Sequence, residues 1–170
     1  MKNPIIIIVT LFIFVVALGV GFLISDQYLG RAPEQPINFS HKIHAGTNEI
    51  PCMYCHSYAE RAKVSGVPNV QRCMGCHKII KTDSPEIQKV AAYWERKEPI
   101  PWIKVHNLPD HVVFPHKRHI KAGRECQECH GPVETMDVVK RLAPLKMGWC
   151  LKCHGKYDVE NGRECWTCHT

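Results

Sequence analysis

The stretch Cys52-Met53-Tyr54-Cys55-His56 carries the pattern Cys-x-x-Cys-His, and four further copies follow it along the chain. We number these motifs sites 1 to 5, in the order Cys52–His56, Cys73–His77, Cys126–His130, Cys150–His154 and Cys165–His169. Together they use all ten cysteines. The spacing is typical of c-type haem attachment, in which two thiols bond one porphyrin and the adjacent histidine binds its iron.

Zinc sites and disulfide bonds are the alternatives. Zinc sites pair two Cys-x-x-Cys motifs without needing the following histidine, and five copies cannot all be paired. A disulfide framework would not repeat one short spacing with a fixed histidine. The repetition favours five covalently bound haem c groups. Their predicted attachment residues are Cys52, Cys55, Cys73, Cys76, Cys126, Cys129, Cys150, Cys153, Cys165 and Cys168, with proximal iron ligands His56, His77, His130, His154 and His169.

Length and charge restrict the class of protein. The 170 residues are enough for about one domain. Five porphyrins would form most of its apolar interior, so we expect short helices at the motifs and otherwise mostly irregular structure. The formal net charge is +6. Five oxidised haems would lower it to roughly +1, because each brings two negative propionates and one positive charge on its ferric porphyrin. The basic residues are scattered along the chain, so the sequence does not predict nucleic-acid binding.

The N-terminus is apolar from residue 4 to residue 24, behind the positive Lys2. About 20 such residues are enough to cross a bilayer, and residues 24–27 do not resemble a signal-peptidase site. We therefore expect an uncleaved transmembrane helix within residues 1–27, in a bacterial cytoplasmic membrane. The positive end should stay in the cytoplasm, which places the linker 28–36 and the haem domain 37–170 on the periplasmic face.

An internal duplication organises the haem domain. The segments 39–44 and 114–119 both read Phe-x-His-x-x-His, and each precedes two haem motifs. The predicted repeats are 39–77 and 114–154, with site 5 appended at residues 165–169. Between them, a helix is predicted to start after Ser84 and to end before Pro99, because its apolar residues recur at helical spacing.

The remaining histidines are candidate distal ligands, because a low-spin haem iron takes two axial ligands. Two histidines three residues apart can leave one helical turn toward two porphyrins. We therefore expect His41, His44, His116 and His119 to be distal ligands. His106 lies in a stiff Pro-flanked segment and is the candidate for the fifth iron. His111 stands outside any repeated pattern and is assigned to the surface. Met147 is a further possible ligand, for which core packing against a porphyrin is the favoured alternative.

Longer segments resemble known proteins. Residues 36–46, with their pair of histidines, resemble multihaem cytochromes of the c3/c7 group. Segments 84–89, 100–109 and 147–150 make the chain similar to the pentahaem cytochrome c subunit of alternative complex III, a bacterial quinol:electron-acceptor oxidoreductase. The resemblance covers roughly residues 36–155. It implies a haem-packed, mostly irregular and α-helical fold, and a membrane-anchored subunit beside an iron–sulfur protein related to molybdopterin oxidoreductases and quinol-binding membrane subunits.

The expected function is electron transfer rather than catalysis by the chain alone. Electrons would pass from a quinol-oxidising membrane complex through five haems to a soluble cytochrome c, a copper protein or an oxidase. No pattern of a nucleophile or general base is visible, which favours a carrier. Two alternatives stay open: a multihaem reductase with an open iron face, and a stand-alone membrane-anchored quinol dehydrogenase.

Overall fold

The computed structural model describes residues 3–26 and 29–169. In these ranges the α-helices are α1 Pro4–Asp26, α2 Cys52–Cys55, α3 Val70–His77, α4 Pro85–Glu95, α5 His116–Lys121, α6 Gln127–His130, α7 Met147–Lys156 and α8 Cys165–Cys168. A π-helical turn spans Lys42–Thr47 and a 3-10 turn spans Val133–Thr135. The same ranges contain no β-strand, only an isolated antiparallel bridge between Val112 and His169. The expectation of a mostly irregular and α-helical chain is confirmed.

Helix α1 is the one element of the described ranges with the length and composition of a membrane span. Its window Pro4–Gly21 has a mean hydropathy of 2.8, and none of it is buried against the rest of the chain. Eighteen apolar residues in helical conformation come close to the thickness of a bilayer core. A membrane anchor and a signal peptide both have this character.

The predicted helix between the repeats is confirmed as α4. Ser84 precedes it in an extended conformation and Pro85 occupies its first turn, where the missing N–H costs nothing. Its buried residue, Val90, belongs to the main apolar cluster. This cluster consists of Ile37, Val70, Met74, Val90 and Ile100. This cluster packs α4 against α3, the helix of site 2, and ties both to the chain just before the first histidine pair.

The apolar side-chain core is small. Eight apolar residues are buried in the described part of the chain, and no side chain there is fully buried. Conventional domains of this length bury far more of their apolar surface. The small core agrees with a fold in which cofactors supply much of the apolar interior.

The two repeats hold each other by reciprocal backbone contacts. In the first histidine segment, the Lys42 N–H donates to the Met136 carbonyl at 2.9 Å, shortly after site 3. In the second, the His116 and Lys117 N–H groups donate to the carbonyls of Lys63 and Ala62 at 3.2 and 3.3 Å, shortly after site 1. Each repeat therefore positions the histidine pair of the other.

Candidate haem-binding sites

Each Cys-x-x-Cys-His motif contains a short helical turn. The motifs coincide with α2, α6 and α8 and with the C-terminal parts of α3 and α7. In a helix, residues three apart point to one side, so both thiols of a motif face the same way. All ten cysteines lie in the described ranges and each is a free thiol. The arrangement suits two thioether bonds on one porphyrin edge and does not support the disulfide alternative.

Seven histidines are held in the tautomer that suits metal binding. Each has its Nδ1 within hydrogen-bonding distance of a backbone carbonyl, which can only accept, so Nδ1 carries the proton and Nε2 keeps its lone pair. Among the proximal histidines the bonds are His56 to Gly66 at 3.0 Å, His77 to Ile80 at 2.9 Å, His154 to Gly162 at 2.6 Å and His169 to His111 at 3.4 Å. Among the predicted distal ones they are His44 to Ser40 at 2.8 Å, His116 to Lys63 at 3.2 Å and His119 to Pro115 at 3.0 Å.

The segments 39–44 and 114–119 share one local geometry. In both, the phenylalanine ring meets the first histidine edge-on, with ring centres 4.8 and 4.9 Å apart and planes at 87° and 89°. It stacks on the second histidine at 4.3 Å in each segment, with planes at 27° and 29°. The phenylalanine therefore fixes the directions of both imidazoles, and it does so identically in the two repeats.

Three pairs of histidine rings have the spacing of two imidazoles on one metal. Metal–imidazole bonds are about 2 Å long, and adding roughly 1 Å from each nitrogen to its ring centre puts the two centres about 6 Å apart. The observed distances are 6.1 Å for His44 and His77, 6.4 Å for His116 and His130, and 6.0 Å for His119 and His154. At sites 2, 3 and 4 these rings could therefore hold an iron between two histidines.

His41 lies beside His56, the proximal histidine of site 1. The pKa of His41 is lowered to about 4, first by burial and then by the nearby His56 and His44. The His41 Nδ1 is buried and has no hydrogen-bond partner. The first histidine of each repeat thus faces the first site of that repeat, and the second histidine faces the second site.

His106 lies at site 3 rather than at site 5. Its ring meets His130 edge-on, with centres 4.4 Å apart and planes at 79°, which leaves no room for an iron between them. Burial lowers the pKa of His106, and the nearby Arg141 guanidinium lowers it further. The pKa of His130 falls to about 4, first because of burial and then because of His106, His116 and His56.

His111 is the histidine nearest to site 5. Its ring lies 5.4 Å from that of His169, with planes 23° apart. Sequence reasoning missed this neighbour because no repeated pattern includes it. The one hint in the sequence was the number of histidines. Six lie outside the motifs, one more than five irons would need as distal ligands.

Met147 opens α7, seven residues before His154. Its side chain is 66% exposed. At site 4 the second axial position of an iron would be filled by His119, whose ring centre lies 6.0 Å from that of His154.

Among the first three motifs, the thiols of site 1 lie close to those of sites 2 and 3. Burial raises the pKa of Cys73, and the neighbouring Cys55 raises it further, so site 2 borders site 1. Burial also raises the pKa of Cys126, and the neighbouring Cys52 raises it further, so site 1 borders site 3. Site 1 therefore lies between sites 2 and 3.

The series continues through the last two motifs. The pKa of Cys129 is raised by burial and then by Cys153, so site 3 borders site 4. That of Cys150 is raised by burial and then by Cys168, so site 4 borders site 5. The attachment residues thus run in the spatial order of sites 2, 1, 3, 4 and 5.

Comparisons with known proteins support a multihaem cytochrome. The model of the class III cytochrome C family matches residues 25–107, and that of cytochrome c7 and related cytochrome c matches residues 112–170. A similar protein is the menaquinone reductase multiheme cytochrome c subunit of Nitratidesulfovibrio vulgaris (strain Hildenborough). It is 30% identical over 182 aligned residues, which cover 91% of this chain and 86% of that protein. The chain therefore belongs to the multihaem c-type cytochromes of the class III and c7 type, which carry covalently bound haem and transfer electrons.

Proposed function

We propose that this chain binds five haem c groups and is the electron-transfer subunit of a quinone-linked membrane complex. The observation that carries the proposal is the series of histidine rings about 6 Å apart, which would fill both axial positions of an iron. Filled coordination leaves no iron face for substrate, so it favours a carrier over a multihaem reductase.

The bound haems would supply a one-electron ferric/ferrous couple at each site. The residues of the chain hold the sites in position. Cysteine pairs would anchor each porphyrin edge, and in seven of the histidines a carbonyl-bound Nδ1 proton keeps the imidazole in the tautomer that a metal requires. Quinol oxidation releases two electrons and two protons, so the protons would leave at the quinone site of a partner subunit while single electrons pass along this chain.

The proposed electron path follows the spatial order of the motifs. Sites 2 and 5 are its two ends, and sites 1, 3 and 4 lie between them. The path crosses between the repeats at sites 1 and 3, where the Cys52 and Cys126 thiols are neighbours. Two sites would share each Phe-x-His-x-x-His segment, so consecutive sites within a repeat are held by the same helical turn.

Two kinds of complex are candidates. The likeness to a menaquinone reductase subunit covers 91% of the chain and supports a menaquinone-linked complex. Segments 84–89 and 100–109 support the second candidate, alternative complex III, which oxidises quinol. Electron transfer between fixed sites is reversible, and the direction is set by the potentials of the partners. The same path can therefore serve either complex.

Membrane attachment through α1 completes the proposal. An anchor helix would hold the haem domain against quinone-binding subunits within the bilayer, on the periplasmic side where haem c is assembled. A stand-alone quinol dehydrogenase would use the same anchor without a partner. It requires a quinone site within this chain.

Purification from native membranes tests the proposal. The pyridine haemochrome assay and the intact mass should give five haems per chain, and co-purified subunits should include membrane proteins that bind quinone. Menaquinol should reduce the haems in the complex, or menaquinone should reoxidise them, and the isolated subunit should do neither rapidly. Fewer than five haems, or rapid quinol oxidation by the isolated subunit, would contradict it.

A further inference from the structure

We infer that His111, and not His106, is the distal ligand of the fifth haem. This inference rests on the proposed haem count. It concerns the iron held by His169, the site that has no partner in either Phe-x-His-x-x-His segment.

The first step is elimination among the histidines. His41, His44, His116 and His119 face the proximal histidines of sites 1 to 4. Two histidines are left for site 5, and they are His106 and His111. His106 is engaged elsewhere, since its ring rests edge-on against His130 at 4.4 Å in a half-buried position.

The second step is the position of the His111 ring. Its centre is 5.4 Å from that of His169 and the planes differ by 23°. Two imidazoles on one metal need about 6 Å between centres, so one ring must move outward by roughly half an ångström. His111 is exposed and can make this adjustment, whereas His106 would have to leave its contact with His130.

The third step is the backbone that joins the two residues. Val112 bridges to His169 in antiparallel fashion, and the Val113 N–H donates to the Cys168 carbonyl at 2.8 Å. The Nδ1 of His169 is 3.4 Å from the carbonyl oxygen of His111. This bond keeps the proton on Nδ1 and leaves Nε2 available to a metal. The segment that carries the candidate ligand is thus fastened directly to the fifth motif.

The test compares two matched histidine substitutions in the full-length haem-loaded protein. His111→Ala should convert one haem in five to the high-spin ferric form, seen by electron paramagnetic resonance and by the visible spectrum. Added imidazole should restore the low-spin form. His106→Ala should leave all five haems low-spin.

The outcomes separate the possibilities. A high-spin haem in His106→Ala at least as abundant as that in His111→Ala overturns the inference, and so does a fully low-spin His111→Ala protein. If His111→Ala does not mature, His111→Met should mature with five low-spin haems, one of them at a raised potential. Unchanged potentials in that variant also overturn the inference. The haem count of the unsubstituted protein tests the proposed function separately, because a count below five contradicts that proposal whatever the variants do.

Discussion

The imidazole of His116 lies almost parallel to that of His130, with ring centres 6.4 Å apart and planes 7° apart. His116 is also held by Lys63 of the other repeat, whose carbonyl accepts from both its backbone N–H and its Nδ1. One residue therefore joins the first site of the second repeat to the chain that follows site 1. The proposed electron path crosses between the repeats here, from site 1 to site 3.

Replacing His116 by methionine should raise the potential of one haem. Methionine as an axial ligand favours the ferrous state relative to histidine, and the haem should stay low-spin because both axial positions remain filled. A spectroscopic redox titration should show one component of five moving to higher potential. Lys117→Met is the matched control, since Lys117 is the next residue of α5 and its side chain is exposed. Equal titration curves for the two variants would contradict His116 ligation.

The contact between the repeats can be tested at Gly46. A Cβ at this position would collide with the backbone carbonyl oxygen of Glu134, in the 3-10 turn after site 3. Gly46→Ala should therefore lower the free energy of unfolding by about 1–3 kcal/mol, as overpacking does. Guanidinium unfolding followed by circular dichroism measures the change.

Gly148→Ala provides the control for this substitution. Gly148 lies in α7, and its added Cβ would meet nothing within 4 Å. Alanine also favours the helix by up to about 1 kcal/mol. An equal loss of stability in both variants would contradict the prediction. It would mean that the close approach of Gly46 to Glu134 contributes little to joining the repeats.

Much of this arrangement could be predicted from local sequence. The helix α4 follows from Pro85 and from apolar residues at helical spacing, which are properties of neighbouring positions. The pairs in segments 39–44 and 114–119 follow from a repeated six-residue pattern. This pattern also predicts that the two histidines of one helical turn serve two different sites.

The neighbours of site 5 could not be predicted in this way. The bridge between Val112 and His169 joins residues far apart in sequence, and its register depends on where the whole repeat packs. His106 and His111 are five positions apart in one irregular segment, so spacing alone cannot distinguish their targets. The order of the motifs in space has the same origin, because Cys52 and Cys126 become neighbours only when the repeats associate.

Met147 provides a prediction about ligand type. Its side chain is 66% exposed. The ring centres of His119 and His154 are 6.0 Å apart, so His119 would already fill the second axial position at site 4. Met147→Leu should therefore leave all potentials and the visible spectrum unchanged. The near-infrared band of thioether–iron charge transfer should be absent from the unsubstituted protein as well. Loss of such a band in Met147→Leu would instead identify Met147 as an iron ligand.

Helix α1 should remain attached to the mature protein as its anchor. Its apolar window of 18 residues has the length of a membrane span and makes no buried contact with the haem domain. The protein purified from membranes should therefore have an intact mass that includes α1 and five haems, and alkaline carbonate should not extract it. A Phe14→Arg substitution at the middle of the helix should weaken retention, because a charge there costs about 2.5–3.5 kcal/mol on insertion, whereas Phe14→Leu should not. An intact mass that lacks residues 4–21 would show that α1 is a cleaved signal, and that other subunits hold the chain at the membrane.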